Sequence, residues 1–319
     1  MTGIGMATVL MMLQQPPPAA PPKEAPKPAG DLLLSLSLDK SSCVLGDVLQ
    51  AEVSLANNGD RDADLVPLCF EERSVSFEIT FAAAPGKSRT FRYAVTRPDP
   101  HLVDRLPLPR VSLKPKKSMV SLFGIPTLAP GDMTVTARYG DRDLRSAPVA
   151  VKVEPQADGA NRLAAILETS EGTIQIDLLP AEAPLNVANF ITLARRGFYD
   201  NMTFFRVVKD NWIQSGCPYD NGFGGPGYAV KSEAKDQTVG HTEGAVAMAQ
   251  NLKADHTGSQ FFIDLKAIPS FDRKYTVIGK VAGPGLEVAR KIGGVSTDSK
   301  TDRPLQDVLL KKVTIVAVK

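Results

Sequence analysis

Phe204-Phe205-Arg206-Val207-Val208, then Ile213-Gln214-Ser215-Gly216-Cys217-Pro218, then Gly222-Phe223-Gly224-Gly225-Pro226-Gly227-Tyr228 set two short apolar runs ahead of a loop rich in glycine. A strand presents alternate faces, so the first run buries Phe204 and Val207 or their neighbours and sets Arg206 on the face opposite its immediate neighbours. The third segment formally contains G-x-G-x-x-G. Pro226 fits poorly inside an opening helix, however, and no acidic residue follows in a βαβ context, so a glycine loop is the better reading than a dinucleotide cradle. Cys217 beside Pro218 has no paired histidine nearby in sequence and reads as a partly buried thiol, not as a nucleophile.

Outward from this stretch, Gly244-Ala245-Val246-Ala247-Met248-Ala249 and Gly258-Ser259-Gln260-Phe261-Phe262-Ile263 continue the pattern of short strands and glycine-rich loops. Phe271-Asp272-Arg273-Lys274-Tyr275-Thr276-Val277-Ile278-Gly279-Lys280-Val281 follows. Upstream, 164–168 and 173–178 read as a hairpin around Ser170-Glu171-Gly172. Residues 183–197 read as a helix, with Pro184 near the first turn and Gly197 as its stop, and 286–292 as a second, closed by Gly293-Gly294.

In this order, Phe-Phe-Arg, Gln-x-Gly, Gly-Gly-Pro-Gly-Tyr, Gly-Ser-Gln-Phe-Phe and Tyr-Thr-Val-x-Gly resemble the cyclophilin family of peptidyl-prolyl isomerases. The resemblance covers 162–319 and implies an eight-stranded antiparallel barrel capped by two helices. It also implies an activity that needs no nucleophile, no metal and no cofactor. Rotation about an X-Pro bond is slow because the amide must lose its resonance, over a barrier of about 18–20 kcal/mol. A catalyst must hold the proline ring in an apolar pocket and stabilise the twisted amide, whose nitrogen becomes a better hydrogen-bond acceptor.

By the resemblance, Arg206 is the donor to that nitrogen, a task suited to a group that is always protonated. Phe262 floors the proline pocket, and Gln214 orients the arginine or contacts the substrate backbone. Gln260 adds a polar contact, Phe271 another wall, and Tyr275 stands near the substrate carbonyl. Phe205, Trp212 and Ile213 join the substrate-binding set, and backbone groups around Ala249 and Gln250 pair with the residue before proline. Without the motif, Phe262 and Phe271 would be core aromatics by default, and a strand arginine would be a solvated or salt-bridged surface group.

Four positions depart from the family pattern. An ungapped alignment from Arg206 puts Asn211 and Trp212 where the family has Phe then Met, so apolar wall is lost at Asn211 and Trp212 is the compensator. A fully buried aromatic contributes about 1.5–3 kcal/mol, which approaches a hundredfold in binding. Ser215 replaces a frequent glycine, and Ser270 stands where cyclosporin-sensitive members have tryptophan. These departures imply reduced or narrowed activity and weak cyclosporin binding. The competing reading is a catalytically silent cyclophilin fold that binds proline-containing segments as a chaperone or scaffold.

The first half has a different texture. Leu32-Leu33-Leu34-Ser35-Leu36-Ser37-Leu38 and Val48-Leu49-Gln50-Ala51-Glu52-Val53-Ser54-Leu55 alternate as half-buried strands, and 74–81, 88–95, 133–139 and 148–153 are further candidates. Asn57-Asn58-Gly59-Asp60 and Ala129-Pro130-Gly131-Asp132 read as turns. Residues 31–154 therefore read as an antiparallel β-sandwich resembling the immunoglobulin-like modules of exported bacterial proteins, with no partner identified. Lys114-Pro115-Lys116-Lys117 reads as a solvated loop. The polar stretch Glu154-Pro155-Gln156-Ala157-Asp158-Gly159 marks a linker at 155–161.

Ahead of the sandwich, the apolar run 4–13 suits the h-region of a secretory signal, though no Lys or Arg precedes it, and is too short to span a bilayer. With the proline run behind it, residues 1–30 read as a leader and linker, making the protein periplasmic or secreted, or cytoplasmic if the run is not a signal.

The chain's 319 residues leave room for two cores, and 23% charged against 43% hydrophobic residues is ordinary globular composition. The formal charge of +2 gives no basic field of the kind a nucleic acid requires. Three cysteines allow at most one bridge, Cys43 to Cys69, and the three histidines show no metal-ligand spacing.

Overall fold

The computed structural model describes residues 31–69, 74–84, 86–94, 110–156, 159–251 and 255–319. The expected leader and proline-rich linker at 1–30 lie outside the described residues. Among the described residues of the first half there are eleven strands: β1 (Leu32–Leu38), β2 (Ser42–Val44), β3 (Val48–Asn57), β4 (Ala63–Leu65), β5 (Val75–Ala84), β6 (Lys87–Tyr93), β7 (Val111–Leu113), β8 (Lys117–Pro126), β9 (Gly131–Tyr139), β10 (Leu144–Arg145) and β11 (Val149–Glu154). They form a sheet ordered β1-β3-β8 and a second ordered β2-β11-β9-β5-β6, with β4 and β7 paired separately.

The alternation does the sorting. β3 turns Leu49, Ala51, Val53 and Leu55 inward and Gln50 and Glu52 outward, and β9 buries Met133, Val135, Ala137 and Tyr139. The two inner faces share one core, where the Phe77 ring on β5 meets Phe123 on β8 edge-on at 5.4 Å.

Two features of this half differ from the sequence expectation. The pairing is not antiparallel throughout, because β2 runs parallel to β11, a pairing open to it since more than a hundred residues connect the two. The ten-residue β8, paired along its length with β3, was not expected. Its apolar residues fall on both faces, with Ile125 buried but Val120 and Leu122 53% and 64% exposed, so no period of two is legible. Lys114 and Lys116 sit in the turn before it, ion-paired to Asp62 and Asp60. Cys43 and Cys217 are buried thiols and Cys69 is exposed, with no disulfide between Cys43 and Cys69.

The second half is one antiparallel sheet of ten strands: β12 (Arg162–Thr169), β13 (Thr173–Leu178), β14 (Met202–Thr203), β15 (Arg206–Val208), β16 (Trp212–Ser215), β17 (Val230–Lys231), β18 (Ala245–Asn251), β19 (His256–Asp264), β20 (Thr276–Ala282) and β21 (Leu309–Val318). The order β14-β21-β12-β13-β20-β18-β19-β16-β15 begins and ends on strands that only Phe204 and Phe205 separate in the chain, so the sheet curls round on itself. The count of ten against an expected eight comes from breaking the 202–208 passage into two short strands and from the two-residue β17 on β19.

Among the described residues two α-helices accompany the sheet. Pro184–Arg195 buries ten of its twelve residues, and its first turn is held by the Glu233 carboxylate, which accepts the Leu185 and Asn186 N–H groups at 3.2 and 2.9 Å. Burial pushes that carboxyl above its usual range. Thr192 on this helix hydrogen-bonds the Tyr93 hydroxyl of β6 at 2.9 Å, so the helix touches both halves of the chain. The second helix is Gly285–Gly293. Among the described residues no helix is long and apolar enough to cross a membrane, and no cluster of His, Cys, Asp and Glu could hold a metal ion.

Candidate active site

The register across β15, β16 and β19 aligns the site. Arg206 lies opposite Gln214, Gln214 opposite Phe262, and Phe262 opposite Ala247 on β18. Because side chains in register share a face, these residues form one row. The neighbouring row, Val207, Ile213 and Ile263, points the other way and is fully buried in the main core. Ile213, expected among the substrate-binding residues, is therefore held in the core by the pleat, between Trp212 and Gln214 on the opposite face.

Phe262 is 4% exposed and belongs to a second, smaller apolar cluster with Ala245, Ala247 and Val277. Tyr275, Phe271 and Trp212 surround its ring, with centroids at 5.3, 5.9 and 6.5 Å. Trp212 also packs on Phe271 at 5.4 Å, while the Asn211 amide turns away to donate to the Lys209 carbonyl at 2.8 Å. The indole thus stands in the wall and the asparagine stays in its own turn. Ser215 is fully buried and donates to the Thr203 carbonyl at 2.8 Å, so its hydroxyl is satisfied. Ser270 is exposed.

At the other end of the row, Arg206 donates through Nε and Nη2 to Asp302 Oδ2, at 3.2 and 3.1 Å, and its guanidinium lies 5.7 Å from the centroid of the Trp212 ring. Phe205, Arg206, Gln214, Asn221, Gly222 and Thr301 line a cleft of about 440 Å³ here. Among the described residues Gln214, expected to orient the arginine or to contact the substrate backbone, makes no hydrogen bond to Arg206. Its Nε2 donates instead to Gln260 Oε1 at 3.0 Å, and Gln260 Nε2 donates to the carbonyls of Gly222 and Gly224, each at 2.9 Å.

The glutamine pair thus ties the glycine loop to the sheet. The arginine's partner is Asp302, which also accepts the Val207 N–H on its backbone carbonyl at 2.8 Å. No local motif signals this contact, because it spans 96 residues and depends on the turn in which Asp298 accepts the Lys300 and Thr301 N–H groups.

A wider groove of about 700 Å³ runs along the glycine loop past Tyr219, Gly225, Ala249, Gln250 and Gln260. Ala249 stands at a break in register between β18 and β19, outside the paired ladder, which leaves its backbone turned from the regular pattern. Gln250 donates to the Lys274 carbonyl.

A second residue of the site, besides Asp302, was not singled out from the sequence. His241 is buried, its ring stacked on Phe262 at 5.8 Å with 12° between planes, and its Nδ1 lies 2.7 Å from Asp264 Oδ2. Its reading as a histidine without ligand spacing gave no hint of this place.

An aromatic seat beside a fixed guanidinium, on one face of a curled antiparallel sheet, suits a protein that grips an apolar ring next to an amide. Residues 164–315 match the family described as Cyclophilin type peptidyl-prolyl cis-trans isomerase/CLD. The chain is 38% identical over 152 residues to peptidyl-prolyl cis-trans isomerase CYP18-2 of Arabidopsis thaliana, covering 47% of this chain and 92% of that one. The chain belongs to this family and is a peptidyl-prolyl cis-trans isomerase of cyclophilin type.

It is also 45% identical over 119 residues to peptidyl-prolyl cis-trans isomerase B of Bacillus subtilis, covering 37% of this chain and 82% of that one. A solved Cryptosporidium parvum cyclophilin type isomerase, determined in the presence of the dipeptide Ala-Pro, is 26% identical with a TM-score of 0.46, covering 48% of this chain and 99% of that one.

Proposed function

We propose that this isomerase works on proline-containing segments of other proteins, with the proline ring seated against Phe262, Phe271, Tyr275 and Trp212. The observation that carries the reading is the row Arg206, Gln214, Phe262, which sets a permanent cation and an aromatic floor on one face of three neighbouring strands. Rotation moves amide nitrogen from planar to pyramidal and frees its lone pair. Arg206, with donors left over from its contact to Asp302, meets that lone pair as it forms and so binds the twisted amide more tightly than the planar one. Backbone groups at Ala249 and Gln250, beside the break in the ladder, take the residue before proline.

The first half supports a finer reading as well. Two sheets facing one core, with mostly antiparallel strands, suit an immunoglobulin-like sandwich over 31–154, joined through 155–161 to the isomerase at 162–319.

The test is the cis-to-trans relaxation of an Ala-Pro peptide with the full chain beside Arg206→Ala. The parent accelerates relaxation and the variant loses about a hundredfold in kcat/KM while keeping its fold. No acceleration from folded parent protein, or an undiminished variant, overturns the assignment of Arg206.

A further inference from the structure

His241 and Asp264 form a buried pair that the chemistry above does not use. Their side chains are 1% and 0% exposed, with Nδ1 2.7 Å from Asp264 Oδ2. The other ring nitrogen, Nε2, lies 3.3 Å from the Tyr275 carbonyl oxygen. That carbonyl can only accept, so Nε2 carries a hydrogen. A neutral ring so protonated turns a lone pair at Nδ1 toward Asp264, and an ionised carboxylate there would set lone pair against lone pair. A further proton therefore lies in the contact between Nδ1 and Oδ2.

The surroundings favour keeping it. Asp264 Oδ1 is buried with no hydrogen-bond partner among the described residues, which a neutral acid tolerates far better than a carboxylate. The Asp272 carboxylate faces the pair from the turn after β19, accepting the His241 backbone N–H at 2.6 Å. Burial raises the Asp264 carboxyl above the usual range against the pull of His241, and Asp272 adds to the rise. The basic residues near that turn, Lys266, Arg273 and Lys274, are exposed, and Glu243 on the approach to β18 is paired with Arg290.

We propose that His241 and Asp264 hold one proton between them beneath Phe262, and that this proton positions the aromatic wall by keeping Nε2–H on the Tyr275 carbonyl. The imidazole is stacked on Phe262, and Tyr275 packs on Phe262 and on Phe271 at 4.9 Å, so one hydrogen bond sets the spacing of floor and wall. Both are positioning residues, and neither touches substrate. Loss of the proton as pH rises leaves a carboxylate that draws hydrogen to Nδ1. Nε2 then turns a lone pair on the Tyr275 carbonyl, and the wall is released. The inference rests on reading this wall as the proline seat.

The full chain, Asp264→Asn and Asp264→Ala are compared in Ala-Pro isomerisation from about pH 5 to about pH 9. An asparagine amide donates to Nδ1 as the neutral acid does and cannot ionise. Asp264→Ala raises KM about tenfold with kcat changed less than about twofold, and Asp264→Asn recovers that loss. The Asn variant's KM stays flat with pH while the parent's climbs. An Asn variant as impaired as the Ala variant, or a parent profile as flat as the Asn variant's, overturns the proposal. A readout independent of turnover is the ¹⁵N spectrum of the His241 ring in the full chain, where hydrogen resides on Nε2. Hydrogen on Nδ1 alone at low pH overturns it too, whereas an inactive parent that keeps hydrogen on Nε2 counts only against the proline seat.

Discussion

The two halves of the chain are built from the same kind of alternating strand and differ in what lies on the second face. In the first half, β3 packs leucine and valine inward and gives its other face, Gln50 and Glu52, to solvent. In the curled sheet, β16 is packed on both faces, with Ile213 in the main core and Trp212 in the smaller aromatic cluster. A strand covered on one side only is scaffold. A strand with a second apolar face, partly open and edged by a cation, has a place for a ligand.

The comparison can be broken by showing that the first half matters to catalysis. Phe77→Ala opens the shared core of the first half beside Phe123 and costs about 3–5 kcal/mol in denaturant unfolding, with kcat/KM of the folded protein unchanged. A matching loss of kcat/KM would mean that the two halves act as one catalytic unit. Asp302→Ala sharpens the contrast from the other side. It frees the Arg206 guanidinium and lowers kcat about tenfold, with little change in unfolding, because a pair this exposed contributes little to stability. If kcat is unaffected, the carboxylate does not position the arginine. The smallest effect belongs to Tyr139→Phe. Its hydroxyl donates to the Val66 carbonyl at 2.5 Å inside the first half, and removing it costs about 1 kcal/mol of stability and nothing in turnover.

Much of this molecule is legible in the sequence, for reasons that also mark where legibility stops. β1 and β13 sit where the alternation puts them, and the helix Pro184–Arg195 runs from its proline toward its glycine stop. β8 escaped notice because it carries apolar residues on both faces. At the site, Arg206 and Phe262 come from motifs of contiguous residues, and register brings them into one row. Asp302 and His241 could not be read in that way. The first reaches Arg206 across 96 residues, and the second is a lone histidine whose role exists only once Phe262 and Asp264 are folded over it. Ile213 shows the converse error, since adjacency to Trp212 and Gln214 in a strand guarantees the opposite face.

The bridging of the glycine loop by Gln260 bears on selectivity. Its amide nitrogen has two hydrogens and gives them to the Gly222 and Gly224 carbonyls, while its oxygen already accepts from Gln214. A side chain so committed holds no donor in reserve for reading the residues that flank a proline. Reading of that kind is left to the other polar side chains along the groove, Tyr219, Gln250 and His256 among them.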